Sequence, residues 1–137
     1  MAENIHLEVV TPEKIVVSEE AQIVASPGSL GEFGVLSGHT PFLTTLKTGI
    51  IRYTDANGKE RYVFVSGGFA EALPDKVTVL AESAERRKDI DPERAKEALA
   101  RAEKRLAEDR SRDDIDFSRA RGSLERAAVR IRLVGTR

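Results

Sequence analysis

Six arginines stand at matching places in two copies of one short pattern. "DIDPERAKEALARAEKRL" (89–106) aligns without gaps to "DIDFSRARGSLERAAVRI" (114–131), with nine identities over eighteen positions. Wound as a helix at about 100° per residue, Arg94, Arg101 and Arg105 fall along one flank of the first copy, and Arg119, Arg126 and Arg130 along the same flank of the second. Guanidinium groups in such rows suit phosphate or carboxylate oxygens, which they grip through paired N–H donors. Asp91 and Asp116 suit N-caps, and the helix N-termini they would open add backbone donors for an anion. Anion binding is therefore the chemistry these residues offer. From spacing alone, a solvated charged face with pairs such as Glu97 to Arg101 explains the rows better.

Other reactive arrangements are weaker. Gly28, Gly31, Gly34 and Gly38 cluster around Glu32, Phe33 and His39 in "SPGSLGEFGVLSGHTPFL" (26–43), but there is no lysine of a phosphate loop and no dinucleotide fingerprint, so sharp turns are expected. His39 has no second histidine or cysteine near it in sequence, and His6 lies on the polar side of a strand, so no metal site is expected. "SGGF" (66–69) imitates an oxyanion turn, yet no nucleophile and base can be assembled around it. It reads as a bulge or bend, and a hydrolase built on Glu32 and His39 lacks a nucleophile or metal set. No catalytic residue is expected.

The elements that would position these residues differ along the chain. "NIHLEVV" alternates apolar and polar, and the same period of two returns in "IIRYT", "RYVFV", "GFAEAL" and "KVTVL". Asn57-Gly58 accept the positive φ values of a tight hairpin, and Pro74-Asp75 mark another reversal, which together predict an antiparallel sandwich or flattened barrel. In the repeat, Pro92 suits the first helical position, and Ile90 and Ile115 can pack back over Ala95 and Ala120. Ala95, Leu99, Ala102 and Leu106 form one narrow apolar stripe, and Ala120, Leu124, Ala127 and Ile131 another. A short polar link predicts an antiparallel hairpin joining the stripes through a weak, alanine-rich seam. That order sets Arg126 and Arg130 near Asp91 and Arg94, a corner suited to a polyphosphate.

Composition divides the chain the same way. Residues 1–85 carry 6 basic and 12 acidic side chains, and residues 86–137 carry 16 and 11; six of the seven aromatic residues lie in the first part. A sandwich over 1–85 and a helical hairpin over 86–137 are expected. The chain has no cysteine, and its opening "MAENIHLEVV" lacks a basic start followed by an apolar run. A soluble, cytoplasmic protein is the expectation. The excess of arginine at the end also fits a nucleic-acid-binding module with a basic helix, though it lacks aromatic interleaving and an overall basic charge.

In the order "GEFGVLSGHTP", "SGGF", "VTVLAE" and "DIDPERA", the chain resembles the epsilon-subunit family of F-type ATP synthases over nearly its full length. The resemblance implies an α+β chain, an N-terminal antiparallel β-sandwich of about ten strands followed by a C-terminal antiparallel two-helix hairpin. It implies a non-catalytic subunit of the rotating central stalk, at the cytoplasmic face of a bacterial inner membrane and attached to that membrane only indirectly. The implied partners are the gamma subunit and the c-ring, which the loop with Glu32 and His39 would face, and the alpha and beta subunits of the catalytic head. Those would be met by a basic inhibitory helix carrying Arg119, Arg121, Arg126, Arg130 and Arg132. No cofactor is required. ATP is implied as a regulatory ligand, sensed and not hydrolysed, on Ile90, Asp91, Arg94 and Ala95, with Arg101, Arg126, Arg130 and Glu85 as further contacts.

Overall fold

Alternation of apolar and polar residues becomes a curled sheet in the computed structural model, which describes residues 3–108 and 114–135, the side chains of 114–116 aside. Nine strands run in order: β1 (Ile5–Val10), β2 (Ile15–Gly28), β3 (Gly31–Val35), β4 (Phe42–Thr45), β5 (Gly49–Asp55), β6 (Glu60–Ser66), β7 (Phe69–Leu73), β8 (Lys76–Leu80) and β9 (Ser83–Arg86). Neighbours in the sheet follow β4-β7-β8-β1-β2-β5-β6-β9, and β3 pairs with β2. The chain divides into two units, Met1–Arg87 and Lys88–Arg137.

Among the described residues nine strands are counted, in keeping with the expected sandwich of about ten, and β2 spans two roles in one strand of 14 residues. Its first half pairs with β1 and its second with β5 and β3, with an irregular register between Ala21 and Ile23. One pairing also departs from an antiparallel sheet: β1 and β8 run parallel, His6 opposite Lys76 through Val10 opposite Leu80. Strands so distant in sequence are not joined by a hairpin, so nothing local imposes the antiparallel sense.

Ile5, Leu7 and Val9 of β1 are fully buried, and with Val77 and Val79 of β8 and Ile51 and Tyr53 of β5 they fill the core. Burying each large aliphatic side chain contributes about 1.5–3 kcal/mol. At the β5–β6 hairpin Gly58 alone takes positive φ (84°), while Asn57 keeps the ordinary sign. The loop closes through Asp55 N–H to Lys59 O (2.8 Å) and Gly58 N–H to Asp55 O (3.0 Å), and the Asp55 side chain accepts from Asn57 N and Lys59 N at 2.9 Å each. This aspartate-led turn with one glycine past it replaces the two-glycine-like turn predicted from sequence. Between β6 and β7, Gly67 and Gly68 both take positive φ, and a Cβ on Gly68 would lie 2.0 Å from Leu80 O. The bend predicted at "SGGF" thus exists because the chain passes directly over β8.

The second unit contains α1 (Pro92–Glu108) and α2 (Asp114–Gly135). Asp91 caps α1: its Oδ1 accepts from Glu93 N at 3.0 Å and Arg94 N at 3.3 Å. Pro92 fixes that boundary, since the residue before proline avoids helical geometry. In the second copy Phe117 takes that place and no such stop exists. There α2 begins at Asp114, two residues before the cap expected at Asp116. The side chains of Asp116 and Ile115, read as cap and staple, and the link 109–113 lie outside the described residues. The helices pack along one another, which a link of this length allows only in antiparallel sense. Ala95, Ala102, Ala120 and Ala127 are buried at the seam, whereas Leu99, Leu106, Leu124 and Ile131 remain half-buried.

Candidate functional site

The two helices set the arginines by simple counting from the link. Arg94 lies fourteen residues before Glu108 and Ala128 fourteen after Asp114, so Arg94 stands level with a point between Arg126 and Arg130. The sequence-predicted corner is therefore made of residues at one level of the hairpin. Within it the side chains divide by burial. Ile90 and Ala95 are buried (6% and 4% exposed) and serve the packing of the helix start. Asp91 spends Oδ1 on the backbone cap. Arg94 and Arg101 are exposed, Arg126 and Arg130 half-buried. Arg126 is committed within its own helix: its Nη2 donates to Ser123 Oγ at 3.1 Å. Glu85, on β9 in the first unit, is half-buried.

Spacing did not single out Ser123 or Gly122. A Cβ on Gly122 would lie 3.2 Å from Arg126 Nη1, so the guanidinium occupies the space that this glycine leaves open. A signal existed, a glycine and a serine four and three residues before an arginine on one helical face, but only the arginine's rotamer gives it meaning. Further along α2, Val129 and Leu133 are also buried, roughly 200° or more round the helix from Ala127 and outside the predicted stripe. Arg119, Arg121 and Arg132 of the expected basic face are exposed.

Glu32 and His39 have separate partners. Glu32 is the second residue of β3 and pairs with Arg52 of β5 at 3.6 Å. His39, in the loop after β3, meets Thr40 O through Nδ1 at 2.7 Å and leans its ring on Phe42, centroids 5.1 Å apart; Phe42 in turn meets Phe33 edge-on at 5.0 Å. Leu30, Leu36 and Leu43 are exposed on the loops and strand flanking this aromatic group.

The outward face of the sheet carries a second feature absent from the sequence reading. Register places Phe69 opposite Leu80, Leu80 opposite Val10, and Val10 opposite Ile15, with Leu43 two residues along β4 from the partner of Phe69. Phe69 (52%), Leu80 (56%), Ile15 (61%) and Leu43 (69%) are all exposed. Together they form an apolar row that crosses five strands on the exposed side of the sheet, larger than the singly scattered apolar residues usual on a surface. Among the described residues, no helix is long and apolar enough to cross a membrane.

Comparison with known proteins fits both units. Residues 4–87 match the family described as ATP synthase, Delta/Epsilon chain, beta-sandwich domain, and residues 88–135 the ATP synthase, Delta/Epsilon chain, long alpha-helix domain. The chain is 66% identical over 137 residues to the ATP synthase epsilon chain of Desulforapulum autotrophicum, covering all of both chains. It is 53% identical to that of Nitratidesulfovibrio vulgaris, covering 98% of each. Among solved structures it is similar to a chain in the Euglena gracilis mitochondrial ATP synthase (OSCP/F1/c-ring), with a TM-score of 0.76 and 26% identity, covering 89% of this chain and 76% of that one.

Proposed function

The chain belongs to the family of ATP synthase delta/epsilon chains, and from that premise we propose that it acts in the stalk of the enzyme as a brake on ATP hydrolysis set by ATP itself. It is an epsilon chain, a central-stalk subunit of an F-type ATP synthase. In the proposed arrangement it performs no catalysis of its own. The sandwich joins the gamma subunit through the apolar row from Leu43 and Phe69 to Ile15, and the loop bearing Glu32 and His39, with its exposed leucines, faces the c-ring. The complex sits on the cytoplasmic face of a bacterial inner membrane, and this chain touches the membrane only through its partners.

The observation that carries the braking role is α2 itself. It is held to α1 through buried alanines, which bury little apolar area, and it displays Arg119, Arg121 and Arg132 to solvent. A weak seam allows the helix to leave, and the arginines suit acidic segments of the alpha and beta subunits. ATP binding at Asp91, Arg94, Arg126 and Arg130 would tie the two helices together and keep the brake off, with Ile90 and Ala95 supporting the corner and Arg101 adding a contact. ATP is here a ligand; no other cofactor is invoked. The reading as a nucleic-acid-binding module gains no support from the relatives.

An enzyme assembled with a chain ending at Lys88 tests the brake. The sandwich keeps its own core, so the shortened subunit should assemble and support proton-coupled synthesis, while hydrolysis rises above that of the complete enzyme. Unchanged hydrolysis in a correctly assembled complex would remove the brake from this reading.

A further inference from the structure

Gly122 stands inside α2, where glycine is the least favourable residue after proline. Its place is explained by Arg126, whose guanidinium lies back along the helix over Gly122 and donates to Ser123 Oγ at 3.1 Å. Helical side chains lean toward their N-terminus, which makes a hydroxyl one turn back an accessible acceptor. In the antiparallel hairpin that direction leads toward the link and away from Arg94 and the start of α1. The hydrogen bond therefore draws Arg126 off the corner where it would meet a ligand.

Resting on the nucleotide reading above, we infer that Ser123 is a positioning residue for the ATP site: it holds Arg126 in a resting rotamer, and a phosphate group must compete with the serine hydroxyl to bring the guanidinium to the corner. A charged phosphate oxygen is the stronger acceptor, so the exchange is favourable. The apparent affinity is nonetheless lowered by the fraction of chains in which Arg126 is held back. Ser123 thus sets the ATP concentration at which the hairpin closes.

Calorimetric titration of the full chain with ATP tests this. Ser123→Ala should bind ATP about two- to tenfold tighter than the unmodified chain, the range expected for one released hydrogen bond, and Ser123→Thr, which keeps the hydroxyl, should restore the original affinity. Gly122→Ala, which crowds the resting place while leaving Ser123 intact, should also tighten binding. The Arg126 Nε–H resonance supplies a readout that a purely structural serine would not move: its position without ATP should differ between the unmodified chain and Ser123→Ala. If the unmodified chain binds ATP and Ser123→Ala binds it equally, the positioning role is wrong and the nucleotide reading survives. Weaker binding by Ser123→Ala would mean that the hydroxyl contacts the ligand itself, which also overturns the proposal. If no chain binds at millimolar ATP, the nucleotide reading falls and the proposal with it.

Discussion

Arg86 Nε donates to the main-chain oxygen of Val16 at 3.0 Å, joining the last strand of the sandwich to the start of β2, seventy residues earlier. No ladder runs between those strands, so a side chain does the work of one. The same guanidinium approaches Tyr53 OH at 3.5 Å and Glu19 Oε1 at 3.9 Å, and Tyr53 donates to Glu19. Burial first, and then this carboxylate, push the Tyr53 hydroxyl far above its ordinary pKa, so it stays a donor at any physiological pH.

Lysine at position 86 would keep the charge beside Glu19 and lose the directed N–H to Val16. Arg86→Lys should lower stability by about 1–2 kcal/mol, read as a lower urea midpoint with an unchanged slope. An unmoved midpoint would show that water replaces the guanidinium at no cost.

Asp55 gives a pH-dependent contribution. Backbone N–H from Lys59, then Arg61 and Asn57, hold its carboxyl below the usual carboxylate range, and Arg61 Nε lies 3.1 Å from Oδ2. A carboxyl lowered on folding adds stability that is complete above its unfolded value, near about 4, and is lost as pH falls through the folded value. Asp55→Asn should therefore be less stable than the unmodified chain at pH 7, with the difference shrinking below about pH 4. Parallel thermal melts across pH 2–7 would show a constant gap if this account is wrong.

Ser26 is fully buried on β2, and its Oγ meets no hydrogen-bond partner among the described residues. Burying an unpaired hydroxyl costs about 1–3 kcal/mol. Ser26→Ala removes that cost along with very little volume, so it should raise stability by roughly 1 kcal/mol in urea unfolding. A loss of stability would reveal a water bound to the hydroxyl.

The seam has a defined register. Ala102 lies six residues before Glu108 and Ala120 six after Asp114, and both are 2% exposed. Ala102→Cys with Ala120→Cys should oxidise within one chain, since backbones in contact through alanines fall within the roughly 7 Å between Cα atoms that a disulfide needs. The chain has no other cysteine to interfere. The oxidised subunit should lose its restraint on hydrolysis in the assembled enzyme and regain it on reduction. Failure to oxidise while circular dichroism shows intact helices would contradict the register.

Much of this was legible in the sequence where a local pattern carries the information. Ile5, Leu7 and Val9 announced an inward face by their period, and Asp91 with Pro92 announced a helix start by their chemistry. Pairing between distant strands has no such code, so the parallel partnership of β1 with β8 and the apolar row it completes were invisible. Phe64 is fully buried although its neighbours Val63 and Val65 already point inward, and a period of two cannot express burial on both faces. In the helices, the stripe anticipated the buried alanines but not Val129 or Leu133. Type and spacing located Arg126; the direction in which it lies required coordinates.

The place of β1, between β2 and β8, governs how the sandwich is made. This strand precedes the other described strands in the chain, yet one of its two partners arrives seventy positions later, His6 waiting for Lys76. Until then its free edge is open, and closing so long a loop should be slow, as in β-rich domains that fold over about milliseconds to seconds. During that interval a second chain's β8 could satisfy the same edge with every hydrogen bond preserved. Refolding at high concentration should accordingly yield some dimer in which β1 is exchanged, and rapid dilution should suppress it.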